Sequence, residues 1–311
     1  MEIIIEGDKA WTKAIKTMER RGFGVRKGDK VILDPVEAVY LFIKSNATVK
    51  IKGKVCGIEE ILSWAKNKRK DFMCYYFVYE DLRNRGYRVR PSGDFLVARS
   101  VFYPISEKVE LKVPELSKKV KNLDQLILAI VDEESEITYY KIYLIDPHGE
   151  QEESLIKIRG YLVEDRVITQ NTDIFTKFFY GSEKDGIVSL SLIESLYLAE
   201  NGFLEGVDLK KLYELLEKNV RKYEVYRDLK SRKFVVKTGF KFGSDFRVYH
   251  EVESVSDLPH SKYLVTVVDD KAMSMGEIVR AVRLAHNVRK KMVFAFKDKE
   301  EKYLVIERVK V

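Results

Sequence analysis

The chain has four histidines, and two of them, His250 and His260, fall within FRVYHEVESVSDLPHSKYLV (246–265), where Tyr249 precedes the first. A phenol and an imidazole near a cation are groups that move protons and hold an anion close to neutral pH. Cations follow in SMGEIVRAVRLAHNVRK (274–290). There Arg280, Arg283, Asn287 and Lys290 recur at spacings of three and four and so share a helix face, which on an arbitrary helix is simply solvated. The stretch 246–265 is thus either an ordinary hairpin or half of an active site.

The other half of the chain bears on that choice, because the sequence repeats itself. DPVEAVYLFI (34–43) matches SLIESLYLAE (191–200), with Glu37 and Tyr40 against Glu194 and Tyr197 and with Asp34 and Ser191 at N-cap positions. FVYEDLRNRGYRVRPSGDFLV (77–97) matches EVYRDLKSRKFVVKTGFKFGSDFRV (224–248), and LDQLILAIV (123–131) matches VRKKMVFAF (288–296). Three pairs in the same order indicate two copies of one unit of common domain size. In the first copy Asp124 stands at the place of Lys290 and Ala98 at that of Tyr249, and no histidine occurs before residue 148. The reactive residue types are therefore concentrated in the second copy.

The elements that must position them are legible in outline. The pattern predicts a mixed α/β (α+β) fold of two tandem units, each helices first and then a mixed sheet with one late helix. The units are 1–150 and 151–311, joined near IDPHGEQEES (145–154), and the second divides into a helical or mixed part, 151–232, and a part 233–311. Residues 208–232 read as one long helix or two short ones. KFVVKTG and FRVYHEV are strands, and KYLVTVV (262–268) is a continuous apolar run suited to a strand buried on both faces. The late helix opens with a capping box, Ser274 and Glu277. Its apolar face is Ile278, Val282 and Ala285, with Val288 at the edge.

Composition sets the class. An apolar fraction of 45% is enough to bury a core, and 56 Lys and Arg against 49 Asp and Glu, an excess of 7, favours an anionic partner, nucleic acid first. Cys56 and Cys74 are too few and too far apart for a structural zinc site and read as reduced thiols. No signal peptide is expected from MEIIIEGDKAW, and no stretch approaches the roughly 18 apolar residues of a membrane span. A soluble, cytoplasmic protein is expected.

FRVY, then LPHSKYLV with its histidine eleven residues after the tyrosine, then VRLAHNVRKKMVFA with its lysine thirty residues further, resembles the tRNA-intron (tRNA-splicing) endonuclease family. The likeness is strong in the second half. It reaches the first half as the degenerate, structural repeat of the archaeal two-repeat homodimeric form. It implies a restriction-endonuclease-like C-terminal part and a nuclease subdomain at about 233–311. It also implies a cytoplasmic lyase-type nuclease that cuts precursor tRNA at bulge–helix–bulge sites without metal or cofactor. In that family a tyrosine, a histidine and a lysine carry the chemistry, here Tyr249, His260 and Lys290. The phenol, with an ordinary pKa of about 10, would take the 2′-OH proton with help from nearby positive charge. The imidazole would protonate the departing 5′-oxygen, and the amine would stabilise the phosphorane. Strand alternation sends His250 to the face opposite Tyr249, leaving His260. Lys290 is preferred over Lys291 because the family's Val-basic-Lys pattern ends there. His286 reads as a capping or packing residue and His148 as exposed and inert.

The resemblance further implies RNA contacts from Arg283, with Arg280 on the same helix, and from Arg308, which is otherwise a solvated edge-strand charge. The acidic segment VDEESEI, through Asp132, Glu133, Glu134 and Glu136, would meet a basic pocket of a second subunit. Two other readings stand beside this one. A metal-dependent nuclease would need converging carboxylates; Asp269 and Asp270 could contribute, but no Glu-x-Lys partner follows on the next strand, and they read better as turn residues. A non-catalytic RNA-binding or structural subunit would not need the Tyr/His/Lys set.

Overall fold

A computed structural model describes residues 1–257, 259–268 and 272–311. Asp269 and Asp270 lie outside the described residues. Each copy opens with a strand-rich layer, which the sequence patterns did not announce. In the first, a six-stranded sheet (order Val25–Lys27, Lys30–Leu33, Lys9–Thr12, Glu2–Glu6, Thr48–Ile51, Lys54–Val55) packs under the helix Pro35–Ser45. In the second, short strands between Ile158 and Glu205 frame the helix Leu192–Glu200. These strands are two to five residues long and lie close to turns, too short to show alternation.

The matched helices start alike because both carry a capping box. Asp34 accepts from the Val36 N–H at 3.0 Å and Ser191 from the Glu194 N–H at 3.3 Å. Glu37 and Glu194 reach back to the cap and also hold the N–H of a glycine from the preceding turn, Gly24 at 2.9 Å and Gly181 at 2.8 Å. A cation lies over the aromatic rings beside each glutamate: Arg83 over Phe23, Lys230 over Tyr180. The two copies therefore share a buried polar centre down to individual contacts.

The second layer is continuous through both copies. In the first copy it comprises helix α1 (Phe72–Asn84) and strands β1 (Arg90–Ser92), β2 (Phe95–Val97) and β3 (Val101–Ser106). Helix α2 (Val113–Val120) and strands β4 (Leu126–Val131) and β5 (Ile137–Ile145) complete it. The second copy repeats this as α3 (Val220–Ser231), β6 (Val235–Thr238), β7 (Phe246–Tyr249), β8 (Tyr263–Val267), α4 (Met275–Asn287), β9 (Lys291–Asp298) and β10 (Glu300–Arg308). Among the described residues the ten strands form one sheet in the order β6-β7-β8-β9-β10-β5-β4-β3-β2-β1. The copies join where β5 and β10 run antiparallel, Tyr140 opposite Arg308 and Ile145 opposite Tyr303. One face of the sheet packs on α2 and α4, through Leu128, Tyr140, Val282, Phe294 and Ile306. The second copy's other face packs on α3, through Tyr226, Val248, Val293 and Tyr303.

Residues 208–232 are two helices, Leu209–Leu216 and α3, broken by a 3-10 turn at Glu217–Asn219. The segment that joins the copies is no loose tether. Its backbone bonds to Arg232, Lys233 and His250, and its acids pair with basic residues of the second copy: Asp146 with Arg232, Glu152 with Lys233, Glu153 with Lys230. Gly149 fits there because a Cβ would sit 2.1 Å from the Lys233 carbonyl oxygen.

Candidate functional site

Strand register brings the three sequence-selected residues to one end of the sheet. Strand β7 runs antiparallel to β8, and β8 runs parallel to β9. The last residue of β7, Tyr249, thus lies beside the segment entering β8 and the segment entering β9. The Lys262 N–H donates to the Val248 carbonyl at 3.0 Å, and the Lys291 N–H to the Lys262 carbonyl at 3.3 Å. His260 is two residues before the first of these anchors and Lys290 one residue before the second. Neighbouring strands lie about 4.8 Å apart, so the three strand ends are adjacent.

The side chains face as alternation requires. Phe246 and Val248 point into the α3 core, so Arg247 and Tyr249 point to the α4 side. His250 goes the other way: its ring meets Phe234 of the α3 core at 6.3 Å and its Nδ1 lies 3.9 Å from Glu150. The ring of Tyr249 is only 4% exposed and packs with Phe179, Val235, Val252 and Val255. The Arg247 guanidinium lies 5.9 Å from the centre of that ring and 5.7 Å from Phe242, whose other neighbour is the Lys290 amine at 5.6 Å. Burial, and then the charge of Arg247, hold the Lys290 amine below the ordinary lysine range. No carboxylate among the described residues pairs with Lys290. Lys291 is different, bonded to the Tyr143 hydroxyl at 2.9 Å and lying 3.5 Å from Glu307. His260 is exposed, while the next residue, Ser261, is buried with its hydroxyl unpartnered.

Several expectations need correction. Lys290 does not share the helix face of Arg280, Arg283 and Asn287. Helix α4 stops at Asn287, and the chain turns through Arg289 in the left-handed region, φ 57°, before Lys290. This turn releases Lys290 from helical spacing and delivers it to the sheet. Val288 is 37% exposed because it too lies beyond the helix. Arg308 is on no edge: β10 is a central strand, and continuing the Met292–Ile306 pairing by two residues puts Arg308 level with Lys290. The same register puts Asp124 at the place of Lys290, since Leu126 and Met292 pair with Ile142 and Ile306, which pair with each other. Ala98 falls in the tight turn 98–100 between β2 and β3, whereas the second copy has the long connection 250–262.

Arg280, Arg283 and Asn287 line a cavity of about 370 Å³ whose opposite wall is Asp132, Thr138 and Tyr140 of the first copy. The Tyr140 hydroxyl is buried there without a partner. The acidic loop is a built projection. Asp132 accepts the N–H groups of Glu134 at 3.0 Å and Glu136 at 2.9 Å, and Glu133 reaches Lys108 at 2.7 Å, so Asp132 shapes the turn while Glu133, Glu134 and Glu136 stand exposed. His286 and His148 are exposed. Both cysteines are free thiols, and no group of three or more His, Cys, Asp or Glu among the described residues is arranged to hold a metal ion. No helix among them is long and apolar enough to cross a membrane.

Sequence reasoning missed Arg247, Phe179 and the joining segment. Arg247 could have been found, since FRVY places it two residues from Tyr249 on the same face. Phe179 carries no local signal for its place beside Tyr249.

Comparison with known proteins agrees with this architecture. The sequence profile for the tRNA intron endonuclease catalytic C-terminal domain matches residues 219–306, and that for the N-terminal domain of the same family matches twice, at 1–62 and 158–217. The double match falls on the two strand-rich opening layers. The tRNA-splicing endonuclease of Methanosarcina mazei is 38% identical over 99% of this chain and 98% of its own length. Those of Methanosarcina barkeri and Haloarcula marismortui are 37% and 33% identical over 100% and 99% of both chains. The chain belongs to the tRNA intron endonuclease family and is an endonuclease.

Proposed function

We propose that this enzyme excises introns from precursor tRNA by metal-independent cleavage at bulge–helix–bulge sites, leaving 2′,3′-cyclic phosphate and 5′-hydroxyl ends. The observation that carries the reading is the convergence of Tyr249, the His260 segment and Lys290 on three adjacent strand ends, with Arg247 beside them. Tyr249 takes the proton of the 2′-OH, and O2′ attacks the adjacent phosphorus. The bond from phosphorus to the 5′-oxygen breaks, and His260 supplies the proton that the leaving oxygen needs. Lys290, with no carboxylate partner among the described residues, holds the negative charge of the phosphorane. Arg247, 5.9 Å from the centre of the Tyr249 ring, adds positive charge beside the reacting phosphate. Arg283 and Arg280 on α4, with Arg308 level with Lys290, hold splayed bulge bases by cation–π contact.

The working form is a homodimer with one catalytic unit (151–311) and one structural unit (1–150) per chain. The exposed acids Glu133, Glu134 and Glu136, on the turn built by Asp132, meet a cleft of the partner's second copy. That cleft, of about 470 Å³, lies between the second copy's two layers and carries Arg166, Lys222, Lys237 and Arg247 together with Asp165, Glu194 and Asp245. Two sites related by a twofold axis suit a substrate with two splice junctions.

The test is incubation of the purified protein with a bulge–helix–bulge RNA in EDTA, with analysis of the ends. A cyclic phosphate is expected, and a 2′-deoxy nucleotide at the junction should block cleavage. A 3′-hydroxyl product, or cleavage that requires added metal, would overturn the mechanism.

A further inference from the structure

Phe179 occupies a backbone conformation that glycine takes in the other copy. After the helix Ile15–Arg21, Gly22 turns the chain at φ 69° and Gly24 follows at φ 61°. After the helix Asp173–Thr176, the same two places are Phe179 at φ 62° and Gly181 at φ 68°. The correspondence is fixed by Gly24 and Gly181, which donate to the equivalent glutamates Glu37 and Glu194. A left-handed position at a helix end favours glycine, and a β-carbon there is disfavoured. The turn itself does not need an aromatic residue, because the first copy makes it without one. What holds Phe179 in this conformation is therefore the place of its ring.

That ring is 5% exposed and packs with Val235, Tyr249, Val252 and Val255. Val252 and Val255 begin the long connection that carries His260. The turn is pinned to the sheet by Lys237 of β6, whose amine donates to the Phe179 carbonyl at 2.9 Å and to that of Gly181, and lies 3.6 Å from Glu194. In the first copy the corresponding strand, β1, reads Arg-Pro-Ser and holds no lysine, and the tight turn 98–100 replaces the long connection. The strained aromatic, its lysine pin and the long connection occur together in the copy that holds Tyr249.

We propose that Phe179 is a positioning residue, whose ring fixes the phenol of Tyr249 and the start of the His260 connection in their working geometry. The strain of a left-handed phenylalanine is retained for that purpose. This rests on the reading of Tyr249 as the general base.

The test compares wild type with Phe179→Gly, which relieves the backbone and removes the ring, and Phe179→Leu, which keeps most of the bulk. Two readouts apply to folded protein: kcat and KM on a bulge–helix–bulge RNA, and nitration of Tyr249 by tetranitromethane followed by peptide mass analysis. Phe179→Gly should lower kcat roughly tenfold to a hundredfold, the scale expected when a catalytic group is misplaced by about 1 Å. Its KM should change little and Tyr249 should become nitratable, while Phe179→Leu should restore most of kcat and of the protection. Unchanged kcat in folded Phe179→Gly, a loss confined to KM, or a Tyr249 that stays protected would each overturn the proposal. If Tyr249→Phe cleaves like wild type, the general-base reading fails. The nitration result still decides whether Phe179 holds that ring.

Discussion

At the scale of single residues, the three proposed catalytic groups are unequally shielded. Tyr249 is packed away, Lys290 is half-buried and His260 is exposed. In the proposed mechanism Lys290 works as a cation, so the rate should fall on the alkaline side as its proton leaves, at a pH below that of an ordinary lysine, since burial and Arg247 both disfavour the charged form. Lys290→Ala should cost on the order of 10²–10³ in kcat, and Lys290→Arg should keep part of the rate and remove the alkaline fall, both read from a pH–rate profile. His260→Ala should lose activity on the order of 10²–10⁴. His250→Ala should cleave at close to the wild-type rate, because its ring faces Phe234 and Glu150. Equal losses in the two histidine variants would refute the facing derived from strand alternation. The sequence proposes this set on two grounds: a chain that repeats itself shows which reactive residues one copy has and the other lacks, and the spacing of the tyrosine, histidine and lysine resembles that of the family. Arg308 was misjudged as an edge charge, since edges are set by pairing between residues 160 positions apart, which no local pattern reveals.

At the scale of elements, the two capping boxes show how one design diverged. In the second copy burial pushes the Glu194 carboxyl up, but Lys237 and the N–H groups of Gly181 and Ser191 outweigh it and hold the group below the ordinary range. In the first copy no lysine reaches Glu37, and burial raises its carboxyl to about 7 despite the N–H groups of Gly24 and Asp34. Asp34 adds to the rise and Arg83 opposes it. The folded state therefore holds this proton more tightly than the unfolded chain. The stabilisation is complete below about pH 4.5 and is lost as pH rises toward 7, by up to about 3 kcal/mol. Chemical denaturation of the wild type should show its midpoint falling from pH 5 to pH 8, and Glu37→Gln should flatten that slope. A slope unchanged by the substitution would place the titration elsewhere. These helices were readable because a capping box has a fixed spacing. The opening strands were not, because strands two to five residues long are defined by their partners.

At the scale of the whole molecule, the proposed dimer rests on the acidic loop. Replacing Glu133, Glu134 and Glu136 by Lys leaves Asp132 to build the turn. It should abolish the dimer in sedimentation and remove most of the cleavage, whereas a dimer that survives the reversal would place the contact elsewhere. Within one chain, the antiparallel pairing of β5 with β10 has a different consequence. Each half ends in a strand whose outer edge is covered only by the other half, and the two edges meet almost symmetrically. The joining segment therefore keeps the two edges at a high local concentration, which makes each half the other's preferred partner over a neighbouring chain. A chain cut within residues 146–157 should stay together in concentrated solution and come apart on dilution. An isolated half would present a bare strand edge able to pair with its own kind. Joining the two copies in one chain thus turns a mass-action equilibrium into a fixed one-to-one stoichiometry of the copies.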